Sequence, residues 1–106
     1  YHIGGDSVEF NFIIDRRTLG LASLSITDID VVDLSGTPYI ILTDLLNGLI
    51  IFKYNEDNSI EDIRVIPVEG AARQFAESPE GTWLVATEKY VLDCTYNKQL
   101  TIVKKY

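Results

Sequence analysis

At 106 residues, with 46% hydrophobic and 24% charged side chains, the chain has the composition of one modest globular domain and not of a disordered segment. Its formal net charge of −7 argues against a nucleic-acid or anionic-membrane surface, because either needs a basic patch and the nine Lys and Arg are scattered, with only Arg16-Arg17 and Lys104-Lys105 adjacent. The longest apolar runs, such as Leu49–Phe52, are far below a membrane span, no charged-then-apolar leader opens the sequence, and neither an internal disulfide nor an Asn-x-Ser/Thr sequon is possible, so a soluble, intracellular (cytoplasmic or nuclear) protein is expected.

In chain order, Gly4-Gly5-Asp6-Ser7 is a turn signal, and Val8–Asp15 after it reads as one strand with Phe10, Phe12 and Ile14 on one face. Thr18-Leu19-Gly20 closes a turn and Leu21–Ser25 reads as a short second strand. Ile26–Leu34 is an acid-rich strand, followed by the turn Ser35-Gly36-Thr37-Pro38, the strand Tyr39–Thr43, and Leu45-Leu46-Asn47-Gly48 with the Asn-Gly pair of a tight hairpin. Leu49–Tyr54 is the next strand, Asn55–Ser59 a polar loop, and Ile60–Ile66 a charged strand suited to a sheet edge. The remainder predicts strands at Arg73–Glu77, Trp83–Glu88, Tyr90–Tyr96 and Leu100–Lys105, and helix is nearly absent.

Two stretches repeat: Gly36–Tyr54 (GTPYIILTDLLNGLIIFKY) returns in degraded form at Gly81–Tyr96 (GTWLVATEKYVLDCTY). The offset is 45 on the glycines, 44 from Thr43 to Thr87 and 42 from Tyr54 to Tyr96, a drift expected when turns change length and strands do not. Four-stranded propeller blades recur at about 40 to 50 residues. The expected fold is therefore all-β, about two and a half four-stranded antiparallel blades of a partial β-propeller: residues 1–25 the outer half of a blade, 26–68 a full blade and 69–106 a full blade. A ten-strand β-sandwich is the alternative, although the Cys and Trp spacing of immunoglobulin domains is missing. Blades bury their faces only against neighbours, so the remaining blades, from the same or a partner chain, are expected partners together with other proteins.

Arg73-Gln74-Phe75-Ala76-Glu77-Ser78-Pro79-Glu80-Gly81-Thr82-Trp83-Leu84-Val85-Ala86-Thr87 resembles the inner strand, Ser-Pro-acid-Gly turn and second strand of WD40-like and YVTN-type propeller blades, without a Trp-Asp signature. Phe52–Ile60 with Pro67-Val68-Glu69-Gly70 is similar to lactonase-type propellers, whose Pro-Arg-His-Phe stands here as Ala72-Arg73-Gln74-Phe75. Tyr39–Tyr54 is similar to a blade of the multi-propeller scaffolds of the damaged-DNA-binding and cleavage-and-polyadenylation-factor kind. The resemblances imply a blade fold over roughly residues 26–106 and bring no catalytic set with them.

His2 is the only histidine and lies near the start, which argues against His-based acid–base chemistry, a Ser-His-Asp triad and His-bearing zinc sites. Glu56, Asp57, Glu61 and Asp62 lack the spacing of a calcium loop, and Cys94 alternates with Leu92 and Tyr96 as a core residue. No catalytic residue, metal or cofactor is expected. Inner strands line a propeller's channel, so Asp28, Asp30, Arg73 and Gln74 are the candidate partner or ligand contacts, with Asp33 and Glu77 beside them; Asp28 and Arg73 are expected to meet. A non-enzymatic interaction or scaffold segment is the leading function, and a lactonase-like or other channel-site enzyme the alternative.

Overall fold

The computed structural model describes residues 2–3, 7–9, 13–55, 57, 59–97 and 99–106. It is all-β apart from one helical turn, in the order β1 (His2–Ile3), β2 (Ser7–Glu9), β3 (Ile13–Asp15), α1 (Arg16–Leu19), β4 (Ile26–Leu34), β5 (Thr37–Asp44), β6 (Gly48–Tyr54), β7 (Ile60–Ile66), β8 (Ala72–Glu77), β9 (Trp83–Thr87), β10 (Val91–Tyr96) and β11 (Leu100–Lys105). Strands β4 to β7 form one four-stranded antiparallel sheet and β8 to β11 another, each in sequence order, so no strand crosses between them as in a Greek-key sandwich. Short connections dictate this layout, since antiparallel neighbours need only a tight turn. Ser35 (φ 54°) and Gly36 (φ 85°) make a two-residue turn from β4 to β5. At the start of β6 a Cβ on Gly48 (φ 94°) would overlap the Ile66 carbonyl, so that residue must be glycine.

The two sheets match in their irregularities as well as their order. Thr27 is an extra residue of β4 opposite β5, and Arg73 an extra residue of β8 opposite β9. Each outer strand also carries an extra residue, in β7 opposite Phe52 and in β11 beside Cys94.

Alternation sends the two faces of the β4–β7 sheet into different cores. Ile40, Leu42, Ile50 and Phe52 pack with Ile14, Leu19 and Leu24 of the N-terminal segment, whereas Ile41, Leu49 and Ile51 pack with Phe75, Trp83, Val85, Leu92 and Cys94 of the β8–β11 sheet. Burying both faces explains why β5 and β6 read as continuous apolar runs. As the alternation predicts, Ile41, Ile50, Phe52, Val85, Leu92 and Cys94 are fully enclosed and Trp83 is nearly so. The inner strands β4 and β8 lie side by side in the same direction: Thr27 Oγ1 donates to the Ala72 carbonyl at 3.3 Å, and the Phe75 N–H donates to Asp28 Oδ2 at 3.2 Å.

The N-terminal segment departs from expectation. Instead of one strand over Val8–Asp15, β2 and β3 pair antiparallel, with Ser7 opposite Asp15, and β1 adds a third strand. The short strands thereby satisfy one another's backbone groups, which a single run would leave unpaired. Phe10 and Phe12 lie outside the described residues. Leu21–Ser25 is not a strand, because its backbone is engaged elsewhere. The Leu21 N–H bonds the Arg16 carbonyl, the Ser23 carbonyl accepts from Asn47 Nδ2, and Ser25 gives its N–H to Asp44 and its carbonyl to the Leu45 N–H. The buried Asp44 also accepts from the Leu46 and Asn47 N–H groups, so one carboxylate holds both the β5–β6 turn and this segment. Among the described residues no helix is long and apolar enough to cross a membrane.

Candidate functional site

Where the facing sheets part, at the end that carries the β4–β5 and β8–β9 turns, they leave a cavity of about 480 Å³. Its lining includes Asp33, Tyr39, Arg64, Glu77, Trp83 and Tyr96. Tyr39, two residues before Ile41, shares the β5 face that looks toward the second sheet, and Arg64 stands opposite Ile51 on the same face. From the other side come Trp83 and Tyr96 on the inward phase of β9 and β10.

These side chains form one connected array. The Arg64 guanidinium lies 5.5 Å from the Tyr39 ring centre and 5.9 Å from that of Tyr96. It donates to Asp62 through Nε at 3.2 Å and Nη2 at 2.6 Å, and through Nη1 to the Tyr96 hydroxyl at 2.5 Å, which bridges the two sheets. Tyr39 Oη donates to Asp62 Oδ2 at 2.7 Å. Asp62 reaches both partners from the extra-residue site of β7, where its φ of 54° is one that Asp tolerates better than most residues. Behind the array Tyr96 stacks on Trp83 with ring centres 4.7 Å apart, and Trp83 meets Phe75 edge-on at 5.3 Å.

The electrostatics follow from the contacts. The Arg64 guanidinium and then the Tyr39 hydroxyl hold the Asp62 carboxyl below the usual carboxylate range. Hydrogen bonding to Asp62 pushes the Tyr39 phenol up, and Asp62 followed by Tyr96 makes Arg64 hold its proton more firmly still. Arg64 is thus internally neutralised. Of the acids at the rim, Asp33 uses Oδ1 to accept from the Gly36 N–H at 2.7 Å, and Glu77 has no side-chain partner among the described residues.

The four residues expected to make contacts do not converge. Asp28 spends its oxygens on the Ile29 and Phe75 N–H groups, and Asp30 accepts from the Val31 N–H. Arg73, placed outward as the extra residue of β8, pairs with Glu88 at 2.7 Å on the exposed surface instead of with Asp28. Gln74 lies on the opposite, outer face of the second sheet, beside Leu84, Ala86 and Val91. Asp33 and Glu77, the other two acids of the inner strands, do line the cavity. Tyr39, Asp62, Arg64 and Tyr96 were not among the sequence candidates; the one available signal was a lone arginine in a charged outer strand beside aromatics at strand ends. No group of three potential metal ligands occurs among the described residues, and burial pushes the Cys94 thiol up, away from reactivity. In comparisons with known proteins, no family model, curated sequence or solved structure matches the chain.

Proposed function

We propose that the chain is a non-enzymatic interaction scaffold built of β-propeller blades, the two four-stranded sheets being consecutive blades and the β1–β3 segment packing as part of a preceding one. The observation that carries this reading is the repetition of irregularity: same strand order, an extra residue at the same place in both inner and both outer strands, and inner strands side by side in one direction. A sandwich has no need to duplicate its bulges, whereas tandem blades inherit them.

The outer face of the second sheet supports the same reading. By register, Leu84 and Val91 correspond to Ile41 and Leu49, which are fully buried against the following sheet, whereas Val91 is 40% exposed. A further sheet, from the same protein or a partner, would cover them, and the scaffold presents its inter-blade groove to other proteins. The test is sedimentation of the 106-residue chain alone. It is expected to self-associate through this face, and Leu84→Lys with Val91→Lys to give a folded monomer. A wild-type monomer with a concentration-independent melt would overturn the reading.

A further inference from the structure

We propose that the groove between the two sheets is a receptor for an arginine side chain presented by an extended segment of a partner protein. This rests on the interaction-scaffold reading and names the chemistry of its partner. The Arg64 charge is answered by Asp62 at 2.6 Å, so among the described lining residues the acids left at the rim without an ion-pair partner are Asp33 and Glu77. They come from the ends of two different sheets, one on each side of the opening, and the half-buried Tyr96 supplies aromatic surface between them, backed by the enclosed Trp83 on which it stacks. Opposed carboxylates over aromatic walls suit a planar cation, which stacks by its face and donates by its edges. The chain already holds one guanidinium this way, since Arg64 sits beside two tyrosine rings with a carboxylate at its edge. A cavity of about 480 Å³ leaves room for a second, with part of the backbone that bears it. An anionic or wholly apolar segment would leave both acids unpaired and is disfavoured.

Trp83 is the sole tryptophan and lines the cavity, so its fluorescence reports occupancy in the unmodified chain at dilution. The probes are short Gly/Ser peptides with one central arginine, lysine, glutamine or glutamate. The arginine peptide is expected to change the Trp83 emission saturably, the lysine peptide to bind more weakly, and the glutamine and glutamate peptides to do nothing. Asp33→Asn, which keeps the oxygen that accepts from Gly36, combined with Glu77→Gln should weaken the arginine peptide by about tenfold or more, and added salt should do the same. Equal response to the glutamate peptide, no saturable response to arginine, or undiminished affinity in the double variant would overturn the proposal. Repeating the titration on the Leu84→Lys/Val91→Lys chain separates the two readings: self-association reports on the outer face alone and Trp83 on the groove alone.

Discussion

Asp28 and Phe75, 47 residues apart and in different sheets, are joined by a hydrogen bond from the Phe75 N–H to Asp28 Oδ2 at 3.2 Å. It fixes the height of one inner strand against the next in a partly buried seam, beside the Thr27–Ala72 bond. Asp28→Ala should cost about 1 to 2 kcal/mol by leaving that N–H short of a partner, and Asp28→Asn, which keeps an acceptor, distinctly less. Urea denaturation of both variants measures the difference, and equal losses would mean the bond contributes nothing.

Phe52 is fully enclosed in the core shared by the N-terminal segment and the first sheet. Phe52→Ala is expected to destabilise by about 3 to 5 kcal/mol in the same assay. A loss below about 1 kcal/mol would mean that the N-terminal segment does not cover this face in solution.

Thr43 is also fully buried, yet its hydroxyl has no partner among the described residues. Thr43→Val removes an unsatisfied oxygen at nearly constant volume, so it should stabilise by about 1 kcal/mol. Destabilisation would reveal a hydrogen bond made in solution.

The Asp62 carboxyl, held below its ordinary 3.8 by Arg64 and Tyr39, sets an acid limit on the array. A carboxyl whose folded value is depressed contributes its full stabilisation above the unfolded value and loses it as pH falls through the folded one. The near-UV dichroism of the tyrosines should therefore hold steady from neutrality down to the ordinary carboxylate range and change below it. In Asp62→Asn that acid step should be gone.

The strands were legible where each residue's surroundings are local. Ile60–Ile66 and Leu100–Lys105 occur with the bounds that their alternation predicts, and the Asn47-Gly48 pair stands at the β5–β6 turn, with Gly48 at a φ of 94°. Legibility ended where a distant side chain competes for the backbone: Leu21–Ser25 has strand-like composition, but Asp44 and Asn47 claim its hydrogen bonds. The groove was hidden for a related reason. Arg64 meets Tyr96 only after two sheets stack, and Asp62 reaches Tyr39 from a bulge that period-two alternation does not announce. The Asp28–Arg73 pairing failed by the same route, since Arg73 is itself the extra residue of β8 and reaches Glu88 instead.

The drifting offset between the repeats has an uneven origin. At the end away from the groove the β5–β6 and β9–β10 connections have three residues each, 45–47 and 88–90. At the groove end they differ: two residues (35–36) against five (78–82), and five (55–59) against three (97–99). Connection length therefore varies around the mouth and is constant at the far end. A fold of this kind can reshape its mouth by lengthening or trimming those lips, and a library of rim loops grafted between unchanged strands would be a practical route to designed binding specificities.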